Sequence, residues 1–118
     1  MKNISDEKLQ ELLEIHKSGK EVIDLSGTDL SEKDLSGVYL EQANLENASF
    51  VMADLQDADL RIARLAGADF TYANLVSANL AGADLTGAYL HGAFLTRSQL
   101  QEATLAGANL TDADLKWV

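Results

Sequence analysis

Residues 53–90 read ADLQD ADLRI ARLAG ADFTY ANLVS ANLAG ADLTG AYL, and their spacing decides the fold. The pattern extends well beyond that stretch. From Leu25 to Leu115 every fifth residue is Leu or Phe, 17 Leu with Phe50 and Phe70 completing 19 positions. Two residues before each of these lies a second column, Ala at 14 of the 19, all between Ala43 and Ala113. Ala and Leu favour helices, but spacing overrides propensity here. A step of five turns a helix by about 140°, which would scatter the leucines around every face. On a flat strand, successive leucines would alternate between faces. A five-residue period is not a heptad either. What remains is a solenoid in which each pentapeptide makes one short side and turns one corner.

A longer period counts the sides. Two residues after the central Leu, Gly or Asn recurs at Gly27, Asn47, Gly67, Gly87 and Gly107, every 20 residues. These residue types tolerate the positive φ that the third position of a type II turn requires. Phe50 and Phe70 are also 20 apart. Twenty residues per coil means four pentapeptides, hence a square cross-section and just under five coils. At the spacing of stacked strands the rod is roughly 24 Å long.

The A-(D/N)-L-X-X run resembles the pentapeptide-repeat family across residues 25–115. That resemblance implies an all-β solenoid, a right-handed quadrilateral β-helix. It also implies an inward pair per repeat: the central Leu or Phe, with Phe50, Phe70, Leu65 and Leu85 in the core, and the small residue two before it. Wider side chains in the small column would overpack the tube.

The ends depart from the repeat. We expect residues 1–20 to form a capping helix and 21–118 the coil, as one domain. Ser5 is a good N-cap, Ile4 and Leu9 are placed as a hydrophobic staple, and Gly19 is a stop. Leu9, Leu12, Leu13 and His16 share one helix face, which suits a lid over an exposed ladder edge. The first coil replaces Ala with Ile23, Thr28, Lys33 and Val38. Lys33 falls in an inward register, so its ammonium is expected to reach out at the N-terminal end, toward a helix carboxylate. After Leu115 come Lys116, Trp117 and Val118. Either Trp117 folds over the last coil, or that uncapped coil docks end to end on a second copy as a homodimer.

Composition narrows function. With no cysteine there is no disulfide framework, thiolate nucleophile or Cys-ligated metal. The N-terminus lacks the apolar core of a signal peptide and no apolar run spans a membrane, so the expected compartment is the cytoplasm. Net charge is −10, and residues 21–118 hold 15 acids against 5 bases. Direct nucleic-acid binding is therefore not expected, since phosphate contacts need a basic face. A convex rod with no long loop offers no catalytic cleft, no phosphate-binding glycine motif is present, and His91 stands alone. No enzyme, cofactor or metal is expected.

One side differs. Val51, Met52, Tyr72, Tyr89 and His91, with Phe94 on the adjoining side, bring Met and aromatic side chains to a polar rod, the composition of a binding patch. The expected function is thus a non-enzymatic structural or interaction module with an unknown protein partner. The alternative comes from the resemblance: some pentapeptide-repeat proteins mimic DNA and bind DNA gyrase. Duplex DNA over the same length would carry about 14 phosphate charges, of the same order as this coil. The gyrase-directed members are longer and dimerise through a C-terminal element.

Overall fold

The computed structural model describes residues 1–118 as one helix, α1 (Asp6–Ser18), followed by a four-sided β-solenoid. Parallel bridges join residues 20 apart along the whole coil, from Asp24 with Asn44 to Phe94 with Asp114. We number the sides by their central residues. Side one carries Leu25, Leu45, Leu65, Leu85 and Leu105; side two Leu30, Phe50, Phe70, Leu90 and Leu110. Side three carries Leu35, Leu55, Leu75, Leu95 and Leu115; side four Leu40, Leu60, Leu80 and Leu100.

The interior is a column of large side chains beside a column of small ones. From Ala43 through Leu95 the central Leu or Phe and the Ala two before it are 0–1% exposed. The rings of Phe50 and Phe70 stack with centroids 4.9 Å apart and planes within 4°. Ser98 interrupts the alanines, and its hydroxyl is buried without a hydrogen-bond partner.

Backbone N–H groups follow one accounting scheme. The central residue donates to the next coil, as Leu45 N does to the Arg64 carbonyl at 2.8 Å. So does the residue two after it, Asn47 N to Ala66 at 3.0 Å. The residue before the centre donates back, Asn44 N to Ile23 at 3.0 Å. The small residue closes the corner, Ala48 N to Leu45 at 3.1 Å. One N–H per pentapeptide, that of the residue just after the centre, has no backbone partner in this scheme.

The corner conformation is a correction to the expected turn pattern. Gly27, Asn47, Gly67, Gly87 and Gly107 do have φ between 59° and 70°. So does every other corner: Met52, Ile62, Tyr72 and Arg97 sit at φ 57–61°. The ladder repeats the same bonds on all four sides, so it imposes the same geometry whichever residue is there. The glycine–asparagine series marks one side; it does not mark where the chain turns.

α1 packs on the first coil. Ser5 Oγ accepts from Lys8 N at 3.1 Å, and Gly19 (φ 82°) ends the helix with its N–H on the His16 carbonyl. Leu9 and His16 are buried, with Ile4, Leu12 and Leu13 packed against the core. His16 does more than line the face: its Nδ1 accepts the Ile23 N–H at 3.1 Å, and its ring meets Tyr39 at 5.4 Å. Lys33 Nζ reaches Asp6 at 2.8 Å, a pair exposed on the Asp6 side. The N-terminal segment adds a strand contact, with Lys2 N donating to Gly27 and Asp29 N to the Lys2 carbonyl. At the other end Trp117 does not fold over the coil. It occupies a corner position (φ 60°) whose side chain points away from the tube, and it is 79% exposed. Leu100, Leu105 and Leu110 are only partly buried.

Two substitutions test these contacts. Ile62 is β-branched at φ 58° and exposed, so Ile62→Gly should raise unfolding free energy by about 1 kcal/mol in a denaturant melt. His16→Phe strands the buried Ile23 N–H and should lower it by about 1–3 kcal/mol.

Candidate partner-binding side

The orphan N–H of each pentapeptide is met by a side chain. Asp or Asn just before the centre folds its oxygen onto the N–H two residues on, as Asp24 does to Ser26, Asn74 to Val76 and Asp114 to Lys116, at 3.0–3.1 Å. Thirteen of the nineteen pentapeptides are closed this way, with Ser49 in the acceptor role once. Read from the sequence these acids count only as surface charge, and the local bond is not apparent. The signal was the interchange of Asp with Asn at that position, which a purely electrostatic role would not allow.

Six positions lack the cap: Tyr39, Arg64, Tyr89, Phe94, Gln99 and Thr104. Two of these have a visible intramolecular use. Tyr39 packs on His16 and donates to Glu41 at 3.0 Å, and Arg64 pairs with Glu46. Tyr89 and Phe94 are 53% and 49% exposed, and neither makes a side-chain hydrogen bond or an aromatic contact. They lie on adjoining sides of one coil, one on each flank of the corner His91–Gly92.

The structure brings the expected residues together at the corner between sides two and three. Met52, Tyr72 and Gly92 occupy the same corner in successive coils, as do Val51, Thr71 and His91. Met52 and Tyr72 are 56% and 50% exposed, while Val51 and His91 are half-buried. The Tyr72 ring lies directly over Gly92, where a β-carbon would collide with it. Tyr72 Oη sits 3.3 Å from His91 Nε2, with the rings edge to face at 5.4 Å. Gly92 therefore holds Tyr72 flat along the surface. Ile62 is not part of this group: it lies at the opposite corner, between sides four and one.

Charge is unevenly placed. Side four holds Arg61 between Asp59 (2.7 Å) and Glu41 (3.3 Å). Side one has Arg64 on Glu46, and side three has Lys33 on Asp6. Side two with its corner carries Asp29, Glu32, Asp69 and Asp112 and no Lys or Arg, and no ion pair. The only concavities flank α1, among Leu13, Lys33, Asp34 and Tyr39, away from the aromatic corner. No group of His, Asp and Glu is placed to hold a metal ion. No helix is long and apolar enough to cross a membrane.

The capping bonds act on the carboxylates. The Ser26 N–H holds Asp24 below the usual carboxylate range, and the hydroxyls of Ser31, Ser36 and Thr86 do the same to Asp29, Asp34 and Asp84. The Arg61 guanidinium lowers Asp59. A carboxylate depressed on folding contributes stability above its unfolded pKa of about 3.9, lost as pH falls below it. Melting temperature should therefore drop from about pH 4 downward. Replacing Asp24, Asp29, Asp34 and Asp84 together by Asn, which keeps every acceptor, should flatten that limb; an unchanged acid limb would show that the caps do not carry it.

Comparison with known proteins agrees with this geometry. A family model described as pentapeptide repeats matches in 8 copies, over residues 23–61, 63–99 and 78–116. A pentapeptide repeat protein from the cyanobacterium Cyanothece 51142 is 41% identical, covering 77% of this chain and 63% of its own, with a TM-score of 0.75. One from the thylakoid lumen of Arabidopsis thaliana is 31% identical over 83% of this chain and 68% of its own, with a TM-score of 0.78. A third, from Nostoc Pcc 7120, is 30% identical over 85% of this chain and 73% of its own, with a TM-score of 0.62. The chain thus spans just under two thirds of the Cyanothece protein. No curated protein sequence matches it.

Proposed function

This chain belongs to the pentapeptide-repeat family of right-handed quadrilateral β-helices, and from that premise we propose that it is a non-enzymatic interaction module. Its coil of just under five turns, closed at one end by residues 1–20, acts as a rigid scaffold for residues 21–118. The partner is a protein, held at Val51, Met52, Tyr72, Tyr89, His91 and Phe94. One observation carries the reading: among the six positions that leave the backbone uncapped, Tyr89 and Phe94 alone expose aromatic rings that make no side-chain hydrogen bond or ring contact in exchange. Such positions lower stability unless something outside the chain uses them. A rod whose backbone is fixed by ladder bonds also loses little conformational entropy on binding.

The coil's excess of 15 acids over 5 bases supports a second reading, a DNA mimic that binds gyrase. It ranks below the first because the caps account locally for most of those acids. Salt-sensitive inhibition of gyrase supercoiling by the purified protein would favour it. We place the protein in the cytoplasm; the Arabidopsis relative occupies the thylakoid lumen. The partly exposed Leu100, Leu105 and Leu110 support contact with a second copy through the last coil, which a dimeric sedimentation coefficient would support and a monomeric one overturn.

Affinity capture tests the main reading. Tyr72→Ala and Tyr89→Ala should each weaken partner capture at least tenfold while Ile62→Ala, at the opposite corner, leaves it intact. If the tyrosine variants alter only the melting temperature, the aromatic corner is not the binding side.

A further inference from the structure

Resting on the reading of the aromatic corner as the binding side, we infer that the bound element is a cationic segment of the partner, bearing arginine. Three observations converge on this. First, side two and its corner are the one part of the coil with acids and no base: Asp29, Glu32, Asp69 and Asp112. Sides one and four each pair an acid with an arginine, and on side three Lys33 pairs with Asp6 of α1; side two forms no ion pair. Arg97 and Lys116 lie across side three, at its far corner.

Second, an acid adjoins the exposed ring on each of two ladders. Asp69 is bridged directly to Tyr89, and Asp114 directly to Phe94. Bridged neighbours stand about 4.8 Å apart, so each ring has a carboxyl group beside it. Third, ring surface is open to solvent: Tyr89 and Phe94 are half exposed without a ring partner, and Tyr72, packed on Gly92 and His91, is also half exposed. A guanidinium can lie on a ring and bond to a neighbouring carboxylate at once, which an apolar partner side chain cannot do. An ammonium offers a point charge without the planar stacking surface. A partner with an apolar contact surface would leave the carboxylates beside the rings, Asp69 and Asp114, without a cation.

The test is calorimetric titration with an acetylated, amidated octa-arginine peptide at physiological ionic strength. Two charge-controlled comparisons separate the corner from bulk attraction. Tyr89→Asn with Phe94→Asn leaves net charge unchanged and gives the His91 and Thr96 N–H groups a capping acceptor, so the protein should melt no lower than the wild type. It should bind octa-arginine about tenfold more weakly. Asp69→Asn with Asp112→Asn removes two charges from side two, and Asp24→Asn with Asp84→Asn removes two from side one. Only the first pair should weaken binding beyond a factor of about two, and the ring protons of Tyr72, Tyr89 and Phe94 should shift on titration. Octa-lysine should bind more weakly than octa-arginine. Equal binding by all variants, or shifts away from the corner, would overturn the inference and leave only net-charge attraction. That failure is distinct from failure of the parent reading. If tyrosine-dependent partner capture persists while octa-arginine fails to discriminate, the corner binds a protein by other chemistry; if capture ignores the tyrosines, the corner is not the binding side.

Discussion

The narrow bore of the tube is the constraint on which everything else rests. Four sides of five residues enclose space for one large and one small inward side chain per side, and no more. Leu over Leu at 20-residue spacing, with Ala beside it, fills that space to 0–1% exposure from Ala43 through Leu95. Once the interior is set, the chain must turn every fifth residue. Every turn then adopts the same positive φ, and every ladder bond falls at the same place. Burying each Leu contributes about 1.5–3 kcal/mol, enough to hold residues such as Ile62 and Tyr72 in a conformation they disfavour by about 1–2 kcal/mol.

That ordering explains which features were legible in the sequence. The leucine and alanine columns report the bore directly, so the coil, its period and its core could be read from residues 25–115. The helix was legible because Ser5, Gly19 and the Leu9–Leu12–Leu13 face are local signals. The corners were less so: glycine at Gly27 or Gly67 suggests where φ is positive, but Met52 and Arg97 reach the same conformation because tertiary bonds dictate it. His16 looked like one more residue on an amphipathic face. Its bond to Ile23 N depends on how the helix lands on the coil, which no periodicity reveals. The aromatic corner was legible only in part. Spacing placed Met52 and Tyr72 in register, but the seating of the Tyr72 ring over Gly92 is a property of packed coils.

The caps change how the surface charge should be understood. Counted as charge, residues 21–118 resemble a polyanion. Counted as hydrogen-bond acceptors, Asp24, Asp54 and Asp84 do the same work as Asn44, Asn79 and Asn109. An acid that is already required by the backbone says little about a partner. The acids that neither cap a backbone N–H nor pair with a cation are Glu21, Glu32, Asp57, Glu102 and Asp112, and two of these, Glu32 and Asp112, lie on side two, the one side without Lys or Arg.

In a repeat this regular, information about function lies in the departures from it. Each pentapeptide that follows the pattern is accounted for by the bore, the ladder and the cap. Departures such as Tyr39, Arg64 and Lys33 are accounted for by α1 or by an ion pair within the chain. Among the uncapped positions left over, Gln99 and Thr104 are polar, and Tyr89 and Phe94 are aromatic. Both lack the cap, both put a ring into water, and they flank a single corner whose glycine positions a third ring. Where local rules that agree almost everywhere fail at exposed aromatic positions, a constraint other than folding is the natural place to look. On this rod the two rings flank the corner of the one side that carries acids and no Lys or Arg, so the same surface combines an incomplete hydrogen-bond scheme, exposed aromatic faces and net negative charge. A cationic planar group bound at that corner would compensate the last two at once.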